Sequence, residues 1–112
     1  MKNFNFHLTT SDTKTLIATL TVLPEVLPQI EGILPENFNR ALFFSETALK
    51  KLSNMETRIS KNELAAIHLS LCLADMVNRD EVIVDQFVSQ LCREHVFGIN
   101  KLKPLYDELF GK

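Results

Sequence analysis

The sequence predicts a small α+β fold, mainly helical, with an N-terminal β-hairpin over about residues 3–22 and about four helices at 36–55, 61–78, 80–97 and 104–110. Three observations carry this expectation. The first 22 residues alternate with period two, most of the remainder repeats with helical period, and Ser60-Lys61-Asn62-Glu63 forms an S-x-x-E capping box.

In the N-terminal segment Phe4, Phe6 and Leu8 alternate with Asn3, Asn5 and His7, and Leu16, Ala18, Leu20 and Val22 alternate with Thr15, Ile17, Thr19 and Thr21. Thr10-Ser11-Asp12-Thr13 supplies a polar join, so the pattern reads as two strands and a turn. The β-branched residues of the second half suit a strand. The same stretch supports an alternative, an all-α bundle with residues 12–23 helical, because Leu16, Ile17, Leu20 and Leu23 also fall at helical spacing. A two-stranded hairpin is marginal alone in water, so its free edges, with Phe4 and Phe6, are a candidate dimer contact.

Pro24, Pro28 and Pro35 punctuate the passage LPEVLPQIEGILP, which reads as a connector packed through Val26, Leu27, Ile30 and Leu34. From Glu36 to about Met55 the apolar positions Phe38, Ala41, Leu42, Ala48, Leu49, Leu52 and Met55 share one helical face. Phe43 falls off it, beside Thr47 and Lys50. These three residues are a candidate partner-binding patch, with a surface aromatic as the plainer reading.

The capping box opens a helix from Lys61 to about Asn78 that is apolar almost all round. Such a helix is central, covered by other elements or by a second subunit. Asp80-Glu81 then places negative charge at the start of the next helix, whose inward stripe is Val84, Phe87, Val88, Leu91 and His95. Gly98 is the expected C-terminal cap, and a last helix from Pro104 buries Leu105 and Leu109, with Phe110 a further candidate.

The chemistry-bearing residues cluster. His68 and Cys72 form H-x₃-C, and Cys92 and His95 form C-x₂-H, on two helices expected to fold back near residue 79. Two thiolates and two imidazoles suit tetrahedral zinc, and spacings of three and four put each pair on one helical face. The layout is not that of a standard zinc finger, however, and Cys72, in the run Leu69-Ser70-Leu71-Cys72-Leu73, also fits as a small buried hydrophobe, with Cys92 at the margin of its helix's apolar stripe. A Cys92–His95 nucleophile is disfavoured by the acidic Glu94 and Asp85 nearby, and no catalytic residue is expected. His68, Asp75 and Asn78 lie along one stripe as a polar seam that must be hydrogen-bonded.

Composition bounds the rest. At 112 residues the chain fits a single domain, 1–112, with 46% hydrophobic and 23% charged residues and a formal charge of −2. Basic residues are divided evenly between the halves, so a nucleic-acid-associated regulator using the C-terminal helices is an alternative rather than the main reading. Three glycines leave little material for a phosphate-cradling loop, and no cofactor is expected. No apolar run approaches the roughly 18 residues that span a bilayer, which points to a cytoplasmic protein with no membrane partner. The expectation is a non-enzymatic interaction or regulatory module that binds a protein partner or forms a homodimer, with Cys/His metal binding as a further alternative.

Overall fold

A computed structural model of the chain describes the backbone of residues 3–5 and, with their side chains, residues 8–56 and 58–110. The first long element is a helix, α1 (Thr10–Val26), in place of the second hairpin strand. Thr9 decides the matter: its hydroxyl accepts the Asp12 backbone N–H at 3.0 Å, and its own N–H donates to the Asp12 carboxylate at 3.2 Å. This reciprocal T-x-x-D cap satisfies two otherwise orphaned donors. The threonines that favoured a strand are accommodated by turning their hydroxyls onto carbonyls of the preceding turn. Thr13 bonds Thr9, Thr15 bonds Ser11, Thr19 bonds Leu16 and Thr21 bonds Ile17. The alternative, helix over 12–23, therefore describes this stretch, and the predicted hairpin over 3–22 does not.

What strand structure is described is small. Residues Asn3–Asn5 (β1) pair antiparallel with Arg58–Ser60 (β2), Phe4 opposite Ile59, in a ladder between segments far apart in sequence. The Phe4 side chain and all of Phe6 lie outside the described residues.

Helix α1 passes through Pro24 to Val26 and continues as one 3₁₀ turn, Leu27–Gln29. Val26 and Leu27 are buried as expected of the connector, whereas Leu34 is exposed. Helix α2 (Pro35–Ser53) begins with proline in its first turn, where the missing N–H costs nothing. Met55, expected on its buried face, lies beyond the helix end at φ 59° and is exposed.

Helix α3 (Lys61–Asn78) has the predicted bounds and the predicted cap. The Ser60 N–H donates to Glu63 Oε1 at 2.9 Å, and Ser60 Oγ accepts the Glu63 N–H at 3.2 Å. It packs against α1, α2 and both C-terminal helices, with Leu64, Ile67, Leu71 and Ala74 facing Leu16, Leu20 and Leu23 of α1 and Leu52 of α2 in one core. Of its 18 residues only Lys61, Asn62 and Ala65 are exposed. The chain covers its own hub, so this helix needs no second subunit.

The C-terminal region departs most from expectation. Asp80 takes φ 57° and residues 80–85 are not helical; Asp85, not Asp80, is the cap, its carboxylate accepting the Val88 N–H at 2.9 Å. Helix α4 is accordingly short, Gln86–Glu94. The chain breaks at His95 and resumes as α5 (Val96–Phe110), which contains both Gly98 and Pro104. Gly98 is not a cap. A Cβ built there would lie 2.1 Å from Thr15 Oγ1, so glycine permits the close approach of α5 to α1.

This longer α5 reverses the predicted orientation of its side chains. Ile99, Leu102 and Tyr106 are buried, and Leu105 and Leu109 face solvent. On α4, Val88 and Cys92 enter the core while Phe87 is exposed. No helix among the described residues is long and apolar enough to cross a membrane.

Candidate functional site

Cooperation between α3 and α5 assembles the one group of potential metal ligands among the described residues. His68 and Cys72 stand one turn apart on α3, and α5 lays Asp107 against them. Their ligand atoms all lie within 4.8 Å of one another. His68 Nε2 is central: Asp107 Oδ1 is 2.7 Å away and Cys72 Sγ 3.5 Å away. Because an ionised carboxylate only accepts, Nε2 carries the hydrogen in this pair. The Phe110 ring stacks on the imidazole at 5.2 Å between centroids and 10° between planes, fixing the ring's plane.

Lys103 completes the cluster. Its Nζ donates to Asp107 Oδ2 at 2.9 Å, one α-helical turn away, leaving Oδ1 for His68. Lys103, then His68, hold the Asp107 carboxyl below the usual carboxylate range, and Asp107 in turn raises Lys103. Burial pushes the Cys72 thiol up, with the Lys103 charge opposing it.

The sequence-predicted set of four is thus divided. His68 and Cys72 meet, but with Asp107 as their third member. Cys92 is buried, and desolvation raises its thiol to about 11. It lines a small niche with His95, Ala18, Thr19, Leu91 and Ile99. That position makes it a packing residue between α4 and the core. Asp107 was not foreseen because no local spacing links it to His68, 39 positions earlier; the path of α5 brings the two together.

The polar seam is satisfied, though not as one chain of bonds. Asn78 Nδ2 donates to the Cys92 carbonyl at 3.0 Å, tying α3 to α4, and Arg79 lies 3.6 Å from Asp75. Thr47, assigned to a surface patch with Phe43 and Lys50, is half-buried, and its hydroxyl donates to the Phe44 carbonyl at 3.1 Å. Phe43 remains on the surface, 60% exposed, its ring edge-to-face with Phe44 at 5.1 Å.

An exposed apolar ridge on α5 was not foreseen. Along α5, Phe97 (87% exposed), Leu105 (55%) and Leu109 (53%) follow one ridge of four-residue steps, with Lys101 between them. Elsewhere a cleft of about 310 Å³ between the start of α1 and the end of α2 is lined by Leu8, Ile17, Leu52, Met55 and Ile59. No protein-family model, curated protein or solved structure matches this chain.

Proposed function

We propose that this chain is a non-enzymatic interaction module that self-associates through the exposed ridge of α5. The carrying observation is the ridge of Phe97, Leu105 and Leu109, three large apolar side chains each more than half exposed on one helix. Burying a side chain of this size stabilises association by about 1.5–3 kcal/mol. Aromatic anchors within such a patch are typical of interface hot spots.

A second copy is the occupant that suits this ridge best. A ridge of four-residue steps packs into the matching groove of an identical helix, and a two-fold axis through the contact buries the same residues on both copies. The basic side chains on α5 do not favour a nucleic-acid reading, since Lys101 pairs with Asp12 and Lys103 with Asp107, each at 2.9 Å. Phosphate contacts would have to compete with these carboxylates.

The chain has no tryptophan, so Phe97→Trp introduces a single reporter. Its emission is expected to shift to the blue as protein concentration rises, and the shift is expected to vanish when Leu105→Glu is added. Emission independent of concentration and unaffected by Leu105→Glu contradicts self-association through α5.

A further inference from the structure

We infer that His68, Cys72 and Asp107 form a three-ligand site for a zinc ion, joining α3 to α5 and leaving a fourth position for water. Three observations lead there, beginning with the convergence of one imidazole nitrogen, one thiol and one carboxylate oxygen within 4.8 Å.

The second is metric. With zinc–nitrogen bonds of about 2.0–2.1 Å and zinc–sulfur bonds of about 2.3 Å, a tetrahedral ion spaces its nitrogen and sulfur ligands about 3.5 Å apart. His68 Nε2 and Cys72 Sγ stand 3.5 Å apart. Asp107 Oδ1, at 2.7 Å from Nε2, is closer than a tetrahedral edge and now accepts the ring proton. Its side chain is 41% exposed and can rotate outward, exchanging the hydrogen bond for a bond to metal.

The third is the surrounding support. Lys103 holds Oδ2 of Asp107 and leaves Oδ1 toward the ion, and Phe110 fixes the imidazole plane. Partners of this kind orient metal ligands from behind. On binding, the ring proton moves from Nε2 to Nδ1, the Cys72 thiol releases its proton to solvent, and both ligand atoms bond the ion. One thiolate and one carboxylate balance the two charges of zinc.

The site differs from the four-residue Cys/His arrangement that the sequence suggests. It excludes Cys92 and His95 and adds a ligand 35 positions beyond Cys72. Its open position also places it among arrangements that can bind an exogenous ligand.

Cobalt(II) can probe the site directly in the full chain after chelator treatment. One cobalt per chain is expected, with the intense d–d absorption of four-coordinate geometry and a thiolate-to-metal charge-transfer band, both displaced by one equivalent of zinc. Cys72→Ser abolishes the charge-transfer band, whereas Cys92→Ala retains it. Asp107→Asn, a change at a partly exposed side chain, weakens zinc at least tenfold while the helical circular dichroism is unchanged. No stoichiometric cobalt binding, a charge-transfer band that survives Cys72→Ser, or zinc affinity indifferent to Asp107→Asn would each overturn the site.

Discussion

Lys51 Nζ stands 2.7 Å from Glu63 Oε1, joining the last turn of α2 to the first turn of α3. The same carboxylate closes the Ser60 cap, so one buried side chain both starts the central helix and ties it to its neighbour. Burial alone would raise the Glu63 carboxyl, but hydrogen bonds from Lys51 and the Ser60 backbone together hold it below its ordinary value. The stabilisation is therefore complete above the ordinary carboxylate range and is lost as pH falls through the depressed folded value. Glu63→Gln, which keeps capping capacity and removes the charge, is expected to destabilise the protein by about 1–3 kcal/mol at neutral pH. Urea unfolding from neutral to acid pH should show a shallower acid loss in the variant; parallel curves would rule out this role.

Gly98 and Thr15 predict a steric conflict with a sign opposite to helix propensity. Alanine normally improves a helix interior over glycine by roughly 0.5–1 kcal/mol. Here its Cβ would sit 2.1 Å from Thr15 Oγ1 and 2.9 Å from Thr15 Cβ. Gly98→Ala is expected to destabilise by about 1–3 kcal/mol, as overpacking does. Thr15→Ala in the same chain should recover part of that loss, because it removes the nearer atom and leaves the Cβ contact. Thermal unfolding of the four combinations measures the coupling, and purely additive effects would contradict it.

Thr19 and Ser70 share a 2.9 Å hydrogen bond at the contact of α1 with α3, where both side chains are buried. Each hydroxyl also meets a carbonyl of its own helix, Leu16 or Ile67. Thr19→Val preserves shape and leaves Ser70 one partner short, at a cost of about 1–2 kcal/mol. Adding Ser70→Ala should cost less than it does alone. A coupling energy of zero in denaturant titrations would show that the two hydroxyls act independently.

Much of the fold was legible where a local signal and the tertiary environment agree. The Ser60–Glu63 box located α3 to the residue, and the apolar stripe from Glu36 placed α2 to within two residues at either end. The N-terminal assignment failed because alternation with period two overlaps helical spacing over short windows, and the Thr9–Asp12 cap lacks the usual glutamate. Asp80 and Asp85 are both plausible helix starts in sequence, and only tertiary packing selects the second. Pro104 misled for a different reason: a surface position on a helix held by Ile99, Leu102 and Tyr106 tolerates a missing N–H that an unsupported helix would not. His68 and Cys72 were visible as a pair from their spacing, while Asp107 became their neighbour only through the path of α5.

The two thiols should differ in native reactivity. Cys92 is buried with its thiol raised to about 11, so its thiolate is scarce at neutral pH. Cys72 is only partly covered. Alkylation followed by mass spectrometry is expected to label Cys72 before Cys92, and Cys92 chiefly after unfolding. Labelling of Cys92 at the rate of an unfolded peptide would contradict its place in the core.

Self-association through α5 is tested most directly by sedimentation equilibrium over micromolar concentrations, comparing the natural sequence with Leu105→Glu/Leu109→Glu. Both leucines are more than half exposed within one chain, so the double variant should retain its helical content. A concentration-dependent rise to twice the chain mass in the natural sequence, with the variant remaining at the single-chain mass, is the expected result. A natural sequence that stays at the single-chain mass throughout, or a variant that associates equally well, would contradict the assignment of α5 as the interface.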